Sequence, residues 1–358
     1  MKILKLNSNR AEIIKTVAAC LKTDGLVIYP TETVYGIGAC ATSAKAIDKL
    51  LQYKGRREGK PLSIAVTDQK MAEKYVEINE QALKFYQNFL PGPFTVVSKS
   101  KNLVDKRVNS EFGTLGIRIP EYPLIIDIIK EFGEAITSTS ANASGKKRPY
   151  KIQDIFDNLS DKQKSLVDLV IDAGELPKNE PSVVVDTTLS TPIALRGSLQ
   201  KNQKEAEVLW SKSPVETIEL AGRLMLNHLN QLQKNGLVFA LNGQLGMGKT
   251  IFAKGIAKFL CIEENINSPT YSYINEYNYK RLETSGVFYH IDAWKIDSKE
   301  ETELLQIEKL VKKNNVLVIE WFDQIEKWLQ FAKDTNIVYL TFKEENNLRK
   351  ILINKNNE

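Results

Sequence analysis

Short apolar runs bounded by turn residues alternate, over the first 200 positions, with longer segments whose apolar residues recur every three or four positions. The runs 26–29 (stopped by Pro30), 62–66, 94–98, 115–119, 135–139, 167–171, 182–187 and 192–195 predict strands. Segments 10–22, 43–53 and 122–132 predict amphipathic helices. The alternation predicts a mixed α/β domain over residues 1–200. The Lys-, Gln- and Glu-rich stretch from Gln200 to Glu207 separates it from a different pattern, so residues 201–212 read as a linker and 213–358 as a second domain. There, 215–234 predicts one long amphipathic helix, capped by Ser213 with Pro214 in its first turn. A strand at 237–241, a helix at 250–260 and strands at 287–291, 316–319, 337–342 and 350–353 predict a smaller α/β sheet. No internal repeat is visible.

The surest chemistry lies in the second domain. The strand at 237–241 runs into Gly243-Gln-Leu-Gly246-Met-Gly248-Lys249-Thr250 and then into a helix, the strand–loop–helix setting that a phosphate-binding loop requires. Gly243, Gly246 and Gly248 let backbone N–H groups curl around an anion, and the helix N-terminus adds partial positive charge. Lys249 is expected to reach the β- and γ-phosphates of ATP, and Thr250 to offer its hydroxyl to Mg2+. Two strands end in carboxylates, Phe288-Tyr-His-Ile-Asp292 and Val316-Leu-Val-Ile-Glu320, which makes Asp292 and Glu320 candidates to hold the metal and position water.

The first domain carries a different anion-binding pattern. Lys54, Arg56, Arg57 and Lys60 put four cations into seven residues between a helix and a strand. Taken alone, that segment reads as a solvated basic loop. Three companions shift the weight towards a site: the turn Pro30-Thr31-Glu-Thr33-Val-Tyr35-Gly36-Ile-Gly38, the strand-to-loop run Thr137-Ser138-Thr-Ser140-Ala-Asn142-Ala-Ser-Gly145, and Gly116-Ile-Arg118-Ile-Pro120. Arg118 lies inside an apolar strand, where a cation needs an anionic partner to offset its desolvation.

Composition narrows the setting. The 358 residues are 42% hydrophobic and 26% charged, as in ordinary globular proteins. No run approaches the roughly 20 apolar residues of a membrane helix, and the N-terminus lacks the pattern of a signal peptide. The three cysteines, Cys20, Cys40 and Cys261, are far apart, which excludes a disulfide framework or thiolate zinc site. The expectation is a cytoplasmic protein with no membrane partner. The net charge of +5 lies entirely in residues 1–200, with 28 Lys and Arg against 23 Asp and Glu. The two histidines, His228 and His290, both fall in the second half, so a histidine base is excluded from the first.

The ordered motifs of the second half (the 243–250 loop, Ser268-Pro-Thr-Tyr-Ser272, His290-Ile-Asp-Ala-Trp294 and Ile319-Glu320-Trp321) resemble the TsaE family over about 213–355. That is the small ATPase of tRNA threonylcarbamoyladenosine biosynthesis. The resemblance implies that Thr250 and Glu320 serve magnesium, that Asp292 is needed for hydrolysis, that Trp321 joins the ATP site and that 268–271 is a switch-like loop. Gln244 and Trp294-Lys295 depart from the family's usual residues.

The first half resembles the YrdC-like family, TsaC in its short form, over about 8–199. The resemblance is carried by the 30–38 turn, Lys54-x-Arg56 with Lys60-Pro61, 116–120, Ser138 to Asn142, Ser182 to Asp186 and Leu195-Arg196-Gly197. It implies a twisted mixed α/β fold and the joining of L-threonine, bicarbonate and ATP into threonylcarbamoyladenylate and pyrophosphate. By the same resemblance Lys54, Arg56, Ser140 and Asn142 bind the ATP phosphates, with Lys60 and Ser138 alongside. Thr31, Thr33, Tyr35 and Arg118 surround threonine, and Ser182 and Arg196 close over the nucleotide. Arg57 and Gly197-Ser198 depart from the family pattern. Lys54 and Arg56, with Asp292 and Glu320, are the residues expected to carry catalysis. The whole is then a fusion whose partners are a threonylcarbamoyl transferase complex of TsaD- and TsaB-like proteins and, indirectly, tRNA. On residues alone another reading stays open, an RNA-binding module fused to a small-molecule kinase. Against a kinase stand the widely spaced Arg223, Arg281 and Arg349, which suggest no arginine-rich lid.

Overall fold

The computed structural model describes residues 1–7, 9–55, 61–143, 146–190, 192–196, 207–269 and 272–354, with the backbone alone for Asn230 and Asn354. The chain forms two compact units, Met1–Thr188 with Pro192–Leu199, and Leu189–Thr191 with Gln200–Glu358.

In the first unit the strands run in the order Lys2–Lys5, Leu169–Asp172, Val27–Tyr29, Gly36–Gly38, Ile136–Ser140, Ser63–Ala65, Thr114–Arg118, Phe94–Ser100, Val183–Asp186 and Ile193–Arg196, and Val76–Glu77 pairs with Phe94–Ser100. Parallel and antiparallel pairs are mixed, as the sequence pattern predicts. The helix Arg10–Lys22 is capped by the Asn9 side chain, which accepts from the N–H of Ala11 at 3.0 Å. It buries Ile13, Val17 and Leu21, while Pro123–Phe132 buries Leu124, Ile125, Ile128 and Ile129 in the same core. Burial of each such side chain contributes about 1.5–3 kcal/mol. The helices Gln69–Tyr75 and Glu80–Phe89, and the short strand Gly36–Gly38, lie outside the predicted elements.

The second unit has a seven-stranded sheet in the order Glu207–Ser211, Leu348–Asn354, Ile337–Glu345, Leu237–Gly243, Val316–Glu320, Thr284–Asp292 and Ile274–Arg281. Its central four strands are mutually parallel. Two expectations need correction. Residues 207–211, read as linker, form an edge strand antiparallel to Leu348–Asn354, so the second unit begins before residue 213. The single helix expected over 215–234 is two, Pro214–Asn227 and Leu229–Asn235. At the break, His228 Nδ1 lies 2.8 Å from the Leu224 carbonyl, the acceptor its own backbone N–H would have used, and that N–H donates to Met225 instead. The apolar period runs through the break because it records burial, not backbone hydrogen bonding. Helix Pro214–Asn227 packs on Lys249–Phe259 at Gly255, where a Cβ would come within 2.6 Å of Ala221 Cβ and 2.7 Å of the Ile218 carbonyl. Among the described residues no helix is long and apolar enough to cross a membrane.

Candidate functional sites

Lys54 is placed by the end of its helix. Ser43 caps Ala44–Lys54 by accepting from the Ala46 N–H at 3.2 Å, and Gly55 terminates it in the left-handed region at φ 58°. Lys54 Nζ, only 6% exposed as a residue, donates to the carbonyls of Ser140 at 2.8 Å and Asn142 at 2.6 Å. Ser140 Oγ donates to Asn142 Oδ1 at 2.5 Å, closing the turn. The predicted cluster of Lys54, Ser140 and Asn142 is therefore one structural unit. Arg56 and Lys60 lie outside the described residues.

The sheet supplies a low floor beside that turn. Ser63 pairs with Ser138 on one side and Gly116 on the other, and directly paired residues project from the same face. Neither Ser63 nor Gly116 was singled out for this role from the sequence, because only pairing across three strands aligns them. Tyr29 packs its ring along the neighbouring turn, and a Cβ on Gly36 or Gly38 would come within 3.1 or 2.8 Å of it. Burial pushes its phenol up to about 12; Arg118 and a bond to Ser138 oppose the shift and Glu32 adds to it. The four groups thus share one neighbourhood.

Arg118 donates from a terminal nitrogen to Glu32 Oε1 at 2.6 Å and to Thr33 Oγ1 at 2.9 Å. Thr31 Oγ1 lies 3.0 Å from Thr33 Oγ1 and accepts from the Val34 N–H at 3.2 Å, which fixes the turn. Glu32 stands in the quoted motif but was given no role there. Tyr35 is engaged elsewhere. Its hydroxyl donates to the Gly174 carbonyl at 2.8 Å and accepts from the Ala173 N–H at 2.8 Å, so its side chain braces the turn rather than joining Arg118. Arg196 donates from Nε to the Ser182 carbonyl at 2.9 Å and from a terminal nitrogen to Ser182 Oγ at 2.6 Å. Water reaches Arg196, yet surrounding protein, then Arg118 and Arg148, lower its pKa from the ordinary arginine value. Three guanidinium groups close enough to repel create a field that favours a polyanion.

In the second unit, parallel register sets the site. Leu241 pairs with Glu320, and Glu320 with Asp292, so the carboxyl ends of three strands lie level beside the phosphate loop. Gly243 and Gly248 have φ 135° and 97°, conformations that L side chains rarely adopt. Lys249 Nζ donates to the carbonyls of Gly243 at 2.6 Å and Gln244 at 2.9 Å and lies 3.7 Å from the centroid of the Trp321 ring. Burial lowers its pKa from the ordinary lysine value, against the pull of Glu320, Asp292 and Asp323. Thr250 Oγ1 donates to Glu320 Oε2 at 3.1 Å, and His290 Nε2 lies 2.8 Å from Glu320 Oε1. Asp292 accepts from Ser268 Oγ at 2.9 Å and from the Trp294 N–H at 3.0 Å.

Among the described residues no cluster of three or more His, Cys, Asp and Glu side chains is arranged to hold a metal by itself. A hydroxyl and carboxylates at this point still suit magnesium, which keeps several waters and takes its remaining ligands from phosphate. One residue was set aside on sequence and should not have been. Arg349 donates from Nε to the Met247 carbonyl at 2.5 Å and bonds Thr217 Oγ1, putting its guanidinium against Gly248. Strand pairing of Ser211 with Arg349 brings it there, and no local motif announces that. A cavity of about 190 Å³ opens beside Gly246 and Met247, lined also by Lys212, Ser213, Lys343 and Arg349.

Comparison with known proteins bears on both units. Residues 19–198 match the Sua5/YciO/YrdC family model, whose description reads telomere recombination, and residues 211–351 match that of the threonylcarbamoyl adenosine biosynthesis protein TsaE. A putative threonylcarbamoyl-AMP synthase of Methanocaldococcus jannaschii is 35% identical over 209 residues, 58% of this chain and 96% of the relative. The threonylcarbamoyl-AMP synthase of Bacillus subtilis is 32% identical over 207 residues, 57% of this chain but 58% of that protein. In fold, Pyrococcus abyssi Sua5 complexed with L-threonine aligns over 94% of this chain and 98% of its own, with TM-score 0.51 and 18% identity. The chain therefore belongs to the Sua5/YciO/YrdC family through its first unit and carries a TsaE domain in its second.

Proposed function

We propose that the protein serves the making of threonylcarbamoyladenosine in tRNA with two separate ATP sites. The first unit joins L-threonine, bicarbonate and ATP into threonylcarbamoyladenylate and pyrophosphate. The second hydrolyses ATP in support of a threonylcarbamoyl transferase complex that uses the adenylate. The observation that carries this reading is that each unit holds its own anion site. Lys54 is fastened to the Ser140–Asn142 turn in one, and Lys249, Thr250 and Glu320 surround a glycine loop in the other. The three free cysteines fit the reducing cytoplasm.

In the first unit the reaction brings two anions together. Threonine's amine adds to bicarbonate with loss of water, and the carbamate oxygen then displaces pyrophosphate from the α-phosphorus. Positive charge and fixed geometry are what such a step needs. Lys54 would hold phosphate oxygens together with the Ser140 and Asn142 side chains. Arg118 would bind the amino-acid carboxylate while Thr33 stays on the same nitrogen. Ser182 holds Arg196 where it can meet the nucleotide, and Arg56, with Lys60, adds charge to the phosphate side.

In the second unit Mg2+ would neutralise phosphate oxygens when bound. Thr250 and Glu320 are the residues to hold it, His290 keeping the Glu320 carboxylate oriented. Asp292, fixed by Ser268 and the Trp294 N–H, is placed to orient water. Lys249 would exchange two backbone carbonyls for the β- and γ-phosphates, with Trp321 beneath it.

The test is pyrophosphate release by the full chain supplied with ATP, threonine and bicarbonate. Lys54→Ala should abolish it, and Lys249→Ala should leave it intact while removing P-loop ATPase activity. Equal loss in both variants would refute separate sites. Salt-sensitive RNA binding without threonine-dependent pyrophosphate would favour the RNA-binding reading.

A further inference from the structure

The reading of Arg118 as the partner of the substrate carboxylate has a consequence for its neighbour, and the inference below rests on that reading. In the protein without substrate a carboxylate already touches Arg118. The Arg118–Glu32 pair closes at 2.6 Å, with side chains only 10% and 14% exposed. Two of the pair's polar atoms are left over. Glu32 Oε2 and Arg118 Nε are both buried and without a hydrogen-bond partner. Buried polar atoms are normally satisfied, so an orphan acceptor beside an orphan donor calls for a ligand that brings one of each.

An α-amino acid does so at one carbon, which carries a carboxylate and an ammonium. A carboxylate seated on Arg118 leaves its ammonium beside the acid that accompanies Arg118, and that acid is Glu32. The backbone holds Glu32 in place. Asn179 Nδ2 donates to the Glu32 carbonyl at 2.8 Å, and Thr31 Oγ1 accepts from the Thr33 N–H at 3.2 Å on the other side. No histidine is available in this unit for the same duty, since both lie beyond residue 200.

We propose that Glu32 recognises the α-ammonium of the amino-acid substrate, so that the site selects α-amino acids over α-hydroxy acids. On binding, the substrate carboxylate takes the place on Arg118 that Glu32 fills, and the freed Glu32 carboxylate accepts from the ammonium. Glu32 is then a substrate-binding residue, and its contact with Arg118 in the empty site is a stand-in for the substrate's own carboxylate.

The experiment is isothermal titration calorimetry of the full chain with L-threonine and with 2,3-dihydroxybutanoate of matching configuration, which replaces the amine by a hydroxyl. Hydrogen bonds to charged groups are about twice as strong as neutral ones, so the wild type should prefer threonine by roughly tenfold or more. In Glu32→Gln, shown to be folded by circular dichroism, that preference should fall towards one, through loss of threonine affinity and with no weaker binding of the dihydroxy acid. If the variant keeps the preference, or binds both ligands more tightly by the same factor, Glu32 only competes for Arg118 and the proposal fails. A wild type that binds the two ligands within about threefold overturns it without any variant. A wild type that binds no threonine at all overturns the threonine reading itself, which separates the two failures.

Discussion

Replacing Lys54 with methionine keeps the length of the side chain and removes its charge. Two bonds from a buried ammonium to the Ser140 and Asn142 carbonyls are lost, at 2.8 and 2.6 Å in the wild type. Hydrogen bonds to charged groups contribute about 1.5–3 kcal/mol each. Taking the lower value for both, because the turn can admit water once the clamp is gone, gives about 3 kcal/mol. For a unit near 200 residues, 1 kcal/mol corresponds to about 2–4 °C, so the melting transition of the first unit should fall by about 6–12 °C. The sequence provides an internal control. All four tryptophans, Trp210, Trp294, Trp321 and Trp328, lie in the second unit, so tryptophan emission follows that unit alone. The assay is a thermal scan read by far-ultraviolet circular dichroism and tryptophan emission together. The dichroism transition of the first unit should move while the tryptophan transition stays. An unmoved dichroism transition would refute the clamp, and an equal shift in both signals would refute its confinement to one unit.

Gly248→Ala places a Cβ within 2.4 Å of the Arg349 guanidinium at φ 97°, and should weaken MgATP binding at the phosphate loop by more than about tenfold. A tryptophan-emission titration checks this, and threonine-dependent pyrophosphate release should survive. Thr250→Val removes the hydroxyl bonded to Glu320 and should abolish the gain in nucleotide affinity that magnesium confers, leaving metal-free ADP binding near the wild-type value. Equilibrium dialysis with and without magnesium separates the two. Burial pushes Tyr29 and Tyr35 up to about 12, above the ordinary phenol value of 10.0. Their stabilising effect is complete below pH 10.0 and lost as pH rises through about 12, because only the unfolded chain ionises readily in that window. An ultraviolet titration should show their tyrosinate absorbance only near that upper limit; normal titration near 10 in the folded protein would contradict their burial.

The chain's pattern of apolar residues determined much by itself. The helix Arg10–Lys22 falls where the period predicts, and the strand leading into Gly243 is legible because two strong local signals, an apolar run and a glycine loop, adjoin. Lys249, Thr250, Asp292 and Glu320 were legible for the same reason: each stands at a strand end or a helix start that sequence alone marks. Elements of weak period, such as Gly36–Gly38 and Glu207–Ser211, were not, since their pairing partners supply the stability their own residues lack. What the tertiary structure decided is which side chains meet. It turned Tyr35 towards the Ala173–Gly174 backbone, set Glu32 on Arg118 and carried Arg349 to the phosphate loop. These contacts join residues from 86 to 139 positions apart. Periodicity reports only a residue's own burial, whereas contacts at that separation depend on the register of intervening strands, which is set when the sheet forms.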